Sequence, residues 1–373
     1  MQNVEIKKGL DGVIVDETSI SKVMPDINSL VYRGYKVQDL AENCSFVKVA
    51  YLLWNNELPS TSELKEFNNK EKNYRSLSSS VTKSISSLNK NAHYMDTLRT
   101  AISIIGSNDE RTWDSSPEVN LDKAISLLAK IPTIIAYDYR RKKGLDIIEP
   151  DKNLDFVENF FNMCFNKIPE KEVLKAFEVS LVLYAEHSFN ASTFTTRVIS
   201  STLSDLYSAV VGGVGALKGP LHGGANEQVM HMLKEIGSAE KAKTWMLNAI
   251  KAKKKVMGFG HRVYRKGDSR VPTMTKYAKK MADITNQKNW MDMSDILAKT
   301  MLEEKNIHPN LDFPAGPAYF MMGFEIEMFT PIFVMSRITG WAAHIMEQNS
   351  SNRIIRPLSH YAGSEARELP QMH

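Results

Sequence analysis

The sequence predicts an all-α protein built from many medium-length helices. Three observations carry that expectation: apolar residues recur at helical spacing along most of the chain, strand-type alternation is nearly absent, and glycine–proline clusters fall between the helical stretches. Near the start, Gly12-Val13-Ile14-Val15 is the one stretch that reads as a strand, part of a small β-hairpin arm. After Pro59, Ser60 and Glu63 have capping-box spacing and predict a helix through Leu64 and Phe67, because each side chain satisfies a backbone N–H that a helix start leaves unpaired. Ser76 to Ser87 is serine-rich and reads as a connection between helices. In Leu121 to Ile131 the residues Ala124, Ile125, Leu128 and Ile131 share one face, and Pro132 is expected to bend or end the helix. Lys171 to Tyr184 puts Val173, Leu174, Phe177, Leu181 and Tyr184 on one side and Lys171, Glu172, Lys175 and Glu178 on the other.

From Gly212 onward the texture changes. Glycine and proline gather at Gly212-Gly213-Val214-Gly215, Gly219-Pro220, Gly223-Gly224, Gly258-Phe259-Gly260 and Phe313-Pro314-Ala315-Gly316-Pro317. Each cluster is expected to be a loop between helices, with helices following over Ala225 to Glu235, Pro272 to Thr285 and Ala318 to Met328. Loops at helix ends expose backbone donors to ligands. Ser350 to Arg367 is polar and expected to be partly extended.

Composition narrows the function classes. With 373 residues the chain is long enough for two domains, or one with a large insertion, and 43% hydrophobic and 24% charged residues describe an ordinary globular protein. Lys plus Arg number 47 against 43 for Asp plus Glu, and a net charge of +4 over such a length does not imply nucleic acid. The only two cysteines, Cys44 and Cys164, lack metal-ligand or redox-motif spacing. Met1 to Ser19 carries Glu5, Asp11, Asp16 and Glu17 and no signal-peptide core, and Phe329 to Met346 is interrupted by Pro331, Arg337 and His344. A protein of a reducing compartment, without a membrane span, is expected.

Candidate chemistry concentrates in a few places. Gly213 to Gly219 misses dinucleotide spacing by one residue, and no phosphate-loop motif occurs. The run Lys251, Lys253, Lys254, Lys255 sits at a helix C-terminus, where cations are favoured in any case. Of nine histidines, His187, His222 and His261 have unusual neighbours, and the glycines beside the last two let a ligand approach the ring closely. None has zinc-ligand spacing, so no metal is expected; a hydrogen-bonded structural role is the alternative for each. His222 lies just before a helix, whose N-terminus favours a neutral imidazole able to polarise a carbonyl. Asp312 precedes an apolar, proline-stiffened segment that would raise its pKa, as a general base requires; helix capping is the alternative. Arg337 interrupts an apolar run, so its charge must be paired, by a carboxylate ligand or by an internal acid.

Four segments then share a pattern. Gly219-Pro-Leu-His-Gly-Gly-Ala-Asn226, Met257-Gly-Phe-Gly-His-Arg-Val-Tyr264, Asn310-Leu-Asp-Phe-Pro-Ala-Gly316 and Arg353-Ile-Ile-Arg-Pro357 resemble, in order and spacing, the signature segments of citrate synthases. The similarity is clearest from about residue 180 to 363. Gly267 to Pro272 and Phe313 to Gln348 are most similar to the 2-methylcitrate synthase branch.

The resemblance implies an all-α, two-domain fold, with 1–220 and 320–373 forming a large helical domain and 221–319 a smaller one that closes over the ligands. It implies Claisen-type condensation of propionyl-CoA or acetyl-CoA with oxaloacetate, followed by thioester hydrolysis. Asp312 would be the base, His222 the donor to the enolate oxygen, and His261 the group that polarises the ketone. His187, Arg270, Arg337 and Arg356 would bind oxaloacetate, Arg356 reaching across from the other subunit of a homodimer, and Phe333 would line the pocket. Arg265, Lys255 and Asn310 would serve coenzyme A, which enters as a thioester co-substrate; no tightly bound cofactor is implied. Ser269 departs from a proline common in the segment before Arg270. Two other classes stand beside this one. A non-catalytic scaffold would have lost Asp312, His222 or His261, and a metal-dependent hydrolase would need a ligand spacing that is missing.

Overall fold

A computed structural model describes residues 6–261, 263–264 and 266–369 of the chain. Among them sixteen α-helices and one small sheet account for the regular structure. The sheet precedes the helices. Strand β1 (Ser21–Met24) pairs antiparallel with β2 (Ser29–Tyr32), Ser21 opposite Tyr32, and a two-residue turn at Arg33-Gly34 leads to β3 (Tyr35–Lys36). The expected strand at Gly12 to Val15 is therefore corrected. Ile14 there is 91% exposed and has nothing to pair with, whereas Leu30 and Tyr32 are buried.

The early helices follow their local signals. They are α1 (Val37–Asn43), α2 (Phe46–Asn55) and α3 (Thr61–Tyr74), the last opened by the predicted capping box: Ser60 N–H donates to Glu63 Oε2 at 2.8 Å and Glu63 N–H to Ser60 Oγ at 3.3 Å. The serine-rich stretch is a helix rather than a connection, α4 (Ser79–Ser87). Ser84 and Ser86 donate to the carbonyls of Ser80 and Thr82, each at 2.8 Å, so the hydroxyls that compete with the backbone elsewhere bond back along this helix. Next come α5 (Tyr94–Ser107) and α6 (Pro117–Lys143), which passes through Pro132 without ending. The proline therefore does not end the helix. A proline inside a helix costs about 3 kcal/mol, and here Ile131, Ile134 and Ile135 bury fully around it, which offsets the loss.

Helix α7 (Phe156–Phe165) opens with a second capping box from Asp155 and Glu158, and α8 spans Lys171–Tyr184 as the periodicity requires. After α9 (Ala191–Ser201), α10 (Leu206–Leu217) contains the Gly212–Gly215 cluster, which is not a loop. A Cβ on Gly213 would lie 2.8 Å from Thr196 Cγ2 and 3.1 Å from the Trp341 ring, so the glycine lets helices approach closely. The remaining helices are α11 (Ala225–Ile236), α12 (Ala239–Lys251), α13 (Val271–Ile284), α14 (Asn289–Lys305), α15 (Asp312–Met321) and α16 (Phe329–Ser350). Phe313 to Pro317 thus lies inside α15, and the helix expected from Ala318 to Met328 instead starts at Asp312. Pro314 sits in its first turn, where no N–H is needed.

Helix α12 packs on α14, and α15 packs on α11 and α13, while α16 runs buried against α6, α8, α9 and α10. Asn352 to Arg367 forms neither helix nor strand and is largely exposed. No helix among the described residues is long and apolar enough to cross a membrane.

Candidate active site

The ends of α8 and the middle of α16 form the floor of a cleft. Arg337 is buried on α16, its Nε donating to the Tyr184 carbonyl at 2.8 Å and its guanidinium 4.7 Å from the Phe333 ring centre, while Nη1 has no partner. No carboxylate forms a direct ion pair with it among the described residues, although buried Glu186 attracts its charge from beyond contact. Burial lowers the Arg337 pKa to about 10. His187 follows α8 by three residues, buried, with Nε2 also unpartnered. Burial first, and then Arg270 and His261, hold its pKa well below the usual histidine value. Beneath it, Glu186 Oε1 accepts from Ser21 Oγ at 2.9 Å and lies 2.9 Å from His344 Nε2.

Three other residues reach the cleft from segments between residues 219 and 312. His222 stands in the turn before α11. Its Nε2 accepts the Ser192 backbone N–H at 3.3 Å, and a backbone donor cannot be reversed, so the ring proton sits on Nδ1. Burial, helped by Arg337, lowers its pKa to about 3; the expected neutral imidazole is present, and burial is its leading cause. The His222 and Phe333 ring centres are 6.2 Å apart.

His261 ends the Gly258-Phe259-Gly260 turn. Its Nδ1 accepts N–H groups of Val263 at 3.0 Å and Tyr264 at 3.2 Å, so Nε2 carries the proton. Burial and then Arg270 lower its pKa to about 4. The turn demands glycine at Gly258 and Gly260, with φ of 82° and 78°, and a Cβ on Gly258 would lie 2.6 Å from Val229 Cγ2. Backbone bonds from Gly260 N–H to His308 and from Asn310 N–H to Gly258, both 2.9 Å, clamp it to the segment before α15. His187 and His261 have ring centres 4.9 Å apart, and a cavity of about 200 Å³ opens beside His261, Tyr264 and Asp268.

Asp312 is the first residue of α15, and it does not cap that helix. Its Oδ1 accepts the Tyr184 hydroxyl at 2.7 Å. Burial raises its pKa to about 6, with Tyr184 and Arg270 limiting the rise. Arg270 forks onto Asp268, Nε to Oδ1 at 2.9 Å and Nη2 to Oδ2 at 2.7 Å, which leaves Nη1 as its less committed edge. Asp268 Oδ2 also accepts the Leu311 N–H at 3.1 Å. Burial opposes charge on both members of this pair, but their mutual attraction wins, lowering the Asp268 pKa and raising that of Arg270.

The fold thus brings together His187, His222, His261, Arg270, Asp312, Phe333 and Arg337. It does not bring Arg356, which is exposed in the segment after α16, nor Lys255, exposed beyond the end of α12. Arg265 lies outside the described residues. Asn310 is occupied at both ends of its amide, Nδ2 donating to the Gly260 carbonyl at 2.9 Å and Oδ1 accepting the Asp312 N–H at 3.1 Å, so it ties the His261 turn to the start of α15. Sequence reasoning missed Tyr184, Asp268 and Ser192. Tyr184 reads as one more apolar position of an amphipathic helix; only Asp268, two residues before Arg270, carried a local signal.

Chemically, the arrangement offers a desolvated carboxylate that is basic near neutral pH, two neutral imidazoles with defined N–H donors, and a floor with unpaired nitrogens on the Arg337 cation and the His187 ring, suited to a small anion.

Comparison with known proteins is consistent with this chemistry. The family model described as "Citrate synthase, C-terminal domain" matches residues 9–358. A citrate synthase of Mycolicibacterium smegmatis is 55% identical over 364 residues, covering 98% of this chain and 97% of that protein. A 2-methylcitrate synthase of Mycobacterium tuberculosis (strain H37Rv) is 54% identical over 366 residues, covering 98% and 93%. Among solved structures, the ternary complex of carboxymethyl coenzyme A and oxaloacetate with citrate synthase from Thermoplasma acidophilum superposes with a TM-score of 0.92 at 29% identity, covering 98% and 99%.

Proposed function

The chain belongs to the citrate synthase family, and from that premise we propose that it condenses an acyl-CoA with oxaloacetate and hydrolyses the resulting thioester, acting as a 2-methylcitrate synthase that also accepts acetyl-CoA. One observation carries the reading: a carboxylate with its pKa raised to about 6 shares a cleft with two histidines that are neutral at pH 7. The Asp312 carboxylate takes a proton from the carbon next to the thioester carbonyl. The electron pair moves onto the thioester oxygen, where the His222 Nδ1–H donates to it. The enolate carbon attacks the ketone carbon of oxaloacetate, and the ketone oxygen takes a proton from His261 Nε2. Water then cleaves the thioester, its hydroxyl going to the acyl carbon and its remaining proton to the departing thiolate of coenzyme A, and the proton held by Asp312 returns to His261 Nε2.

Oxaloacetate brings two carboxylates, for which His187 Nε2, Arg337 Nη1 and Arg270 Nη1 are the available donors on this chain. Arg356 supplies a further guanidinium from the second subunit of a homodimer, a reading supported by its exposure in a segment without helix or strand. Lys255, Arg265 and Asn310 are assigned to coenzyme A by the resemblance alone, and no tightly bound cofactor is required. The domains are 1–220 with 320–373, and 221–319; the mutual packing of α11 to α15 supports that division, although α15 itself continues to Met321. Closure of the smaller domain excludes water until condensation is complete. A cytoplasmic location fits this reading.

A citrate synthase preferring acetyl-CoA is the second reading, favoured by the M. smegmatis relative. One methylene in a pocket is worth about 1–3 kcal/mol, so both acyl groups are expected to react. The test is oxaloacetate-dependent thiol release from propionyl-CoA and acetyl-CoA in parallel, compared by kcat/KM. Higher efficiency with propionyl-CoA supports the first reading, higher efficiency with acetyl-CoA the second, and no release with either rejects both. Mixing Arg356→Ala with Asp312→Ala subunits is expected to restore activity, because one of the two sites in the mixed dimer is then intact; no recovery despite demonstrated subunit exchange sinks the shared site.

A further inference from the structure

Tyr184 touches the proposed base from the other side of the proposed domain boundary. It is the last residue of α8, in 1–220, and its hydroxyl donates to Oδ1 of Asp312, the first residue of α15, in 221–319. The tyrosine is held from two directions. Arg337 Nε donates to its carbonyl at 2.8 Å, and the Phe333 ring centre lies 4.1 Å from its own. Only 1% of the residue is exposed, and burial first, then Asp312, pushes the phenol pKa up, so the group donates and does not ionise. Among the described residues no other side chain donates a hydrogen bond to the Asp312 carboxylate. The charged or titratable groups that act on it are Tyr184 at the end of α8, Arg337 on α16, Arg270 and Asp268 in the segment before α13, and Tyr319 on its own helix.

We propose that Tyr184 is a positioning residue for Asp312, its hydroxyl fixing one carboxylate oxygen across the domain boundary so that the other is aimed at the substrate only when the two domains are together. The inference rests on the reading of Asp312 as the base. Physically, a carboxylate at the end of a two-bond side chain rotates freely unless a donor fixes it, and a base must be fixed to within a fraction of an ångström. A donor carried by the opposite domain makes that orientation depend on closure. A carboxylate that is poorly oriented in the open cleft is also poorly able to take the proton before oxaloacetate is enclosed.

The experiment compares wild type and Tyr184→Phe by oxaloacetate-dependent thiol release across pH, in the full-length protein. Loss of a hydrogen bond to a charged group is expected to lower kcat about 10- to 100-fold, with the oxaloacetate KM within about twofold. Removing the donor destabilises the carboxylate, so the acid limb of kcat/KM should move above its wild-type position near 6. Site-specific 3-fluorotyrosine at Tyr184, a stronger donor of nearly the same shape, should move the limb below that position. Unchanged kcat and pH profile in Tyr184→Phe overturn the proposal, and so does a lower kcat with the acid limb unmoved, the mark of a merely structural role. If Tyr184→Phe fails to fold, the fluorotyrosine protein decides, an unmoved limb counting against the proposal. Wild-type protein without thiol release from any acyl-CoA overturns the underlying reading instead, and the proposal falls with it.

Discussion

The floor of the cleft and its walls treat polar groups in opposite ways. On the floor, Arg337 and His187 are buried with polar nitrogens that nothing among the described residues satisfies, Nη1 and Nε2. On the walls, His222, His261 and Asp312 each have one face engaged by a donor from the protein: the Ser192 N–H, the Val263 and Tyr264 N–H groups, and the Tyr184 hydroxyl. An unsatisfied buried donor costs folding free energy and returns it when an anion arrives, whereas an engaged side chain has its proton and orientation fixed beforehand. The difference separates recognition from reaction. It teaches that in this fold binding strength and reaction rate are adjustable at different residues.

Breaking the wall should have the largest effect. Asp312→Asn removes the base and is expected to lower kcat by roughly 10³-fold, as losing a positioned general base does, with oxaloacetate affinity little changed. The same variant should be more stable at pH 7. The folded carboxyl keeps its proton to about pH 6 while the unfolded one loses it near 4, so its contribution to stability is present at low pH and lost as pH rises through 6. Thermal melts of both proteins at pH 5 and pH 7.5 check this: the advantage of Asp312→Asn should be larger at the higher pH, and a smaller or reversed advantage contradicts the assignment.

Breaking the floor should come next. Arg337→Met is expected to weaken oxaloacetate binding about 100-fold while leaving the melting temperature unchanged or raised, because it removes a buried charge with no ion-pair partner. Calorimetric titration with oxaloacetate measures the first, and a lower melting temperature would show that the guanidinium is structural. The wild-type pH profile sharpens the contrast further. Activity should rise with pH through about 6 as Asp312 ionises, whereas oxaloacetate binding should show no strengthening step at the usual histidine pKa, since burial holds His187 well below it. Lys255→Ala should matter least: an exposed cation contributes at most about 1 kcal/mol, so the acyl-CoA KM should rise by less than about fivefold.

Local signals located the elements whose cause is local. The Ser60–Glu63 capping box and the amphipathic period of Lys171 to Tyr184 each depend on residues within a few positions of one another, and both helices begin as those signals require. The glycine, histidine and aspartate segments likewise held three of the residues that meet in the cleft, His222, His261 and Asp312, and the resemblance they carry implied His187, Arg270, Phe333 and Arg337. Where the reading failed, a neighbour distant in sequence outweighed local preference. Pro132 is carried inside α6 by buried isoleucines, Gly213 is set within α10 by Thr196 and Trp341, and Phe313 to Pro317 begins a helix because its apolar residues are buried against the rest of the fold. Gly12 to Val15 erred the other way, a strand pattern with no strand beside it.

By itself, the sequence determined which residue types were available and in what order: an acid before an apolar segment, histidines beside glycines, an arginine inside an apolar run. Only the tertiary structure decided their protonation and pairing. Desolvation and hydrogen bonds between residues 128 apart, as between Tyr184 and Asp312, exist only after the chain has folded. For the same reason Arg270 turned out to be forked onto Asp268 while Arg337 was left with a free edge: an ion pair is a matter of distance and solvent exclusion, and neither is written in local composition.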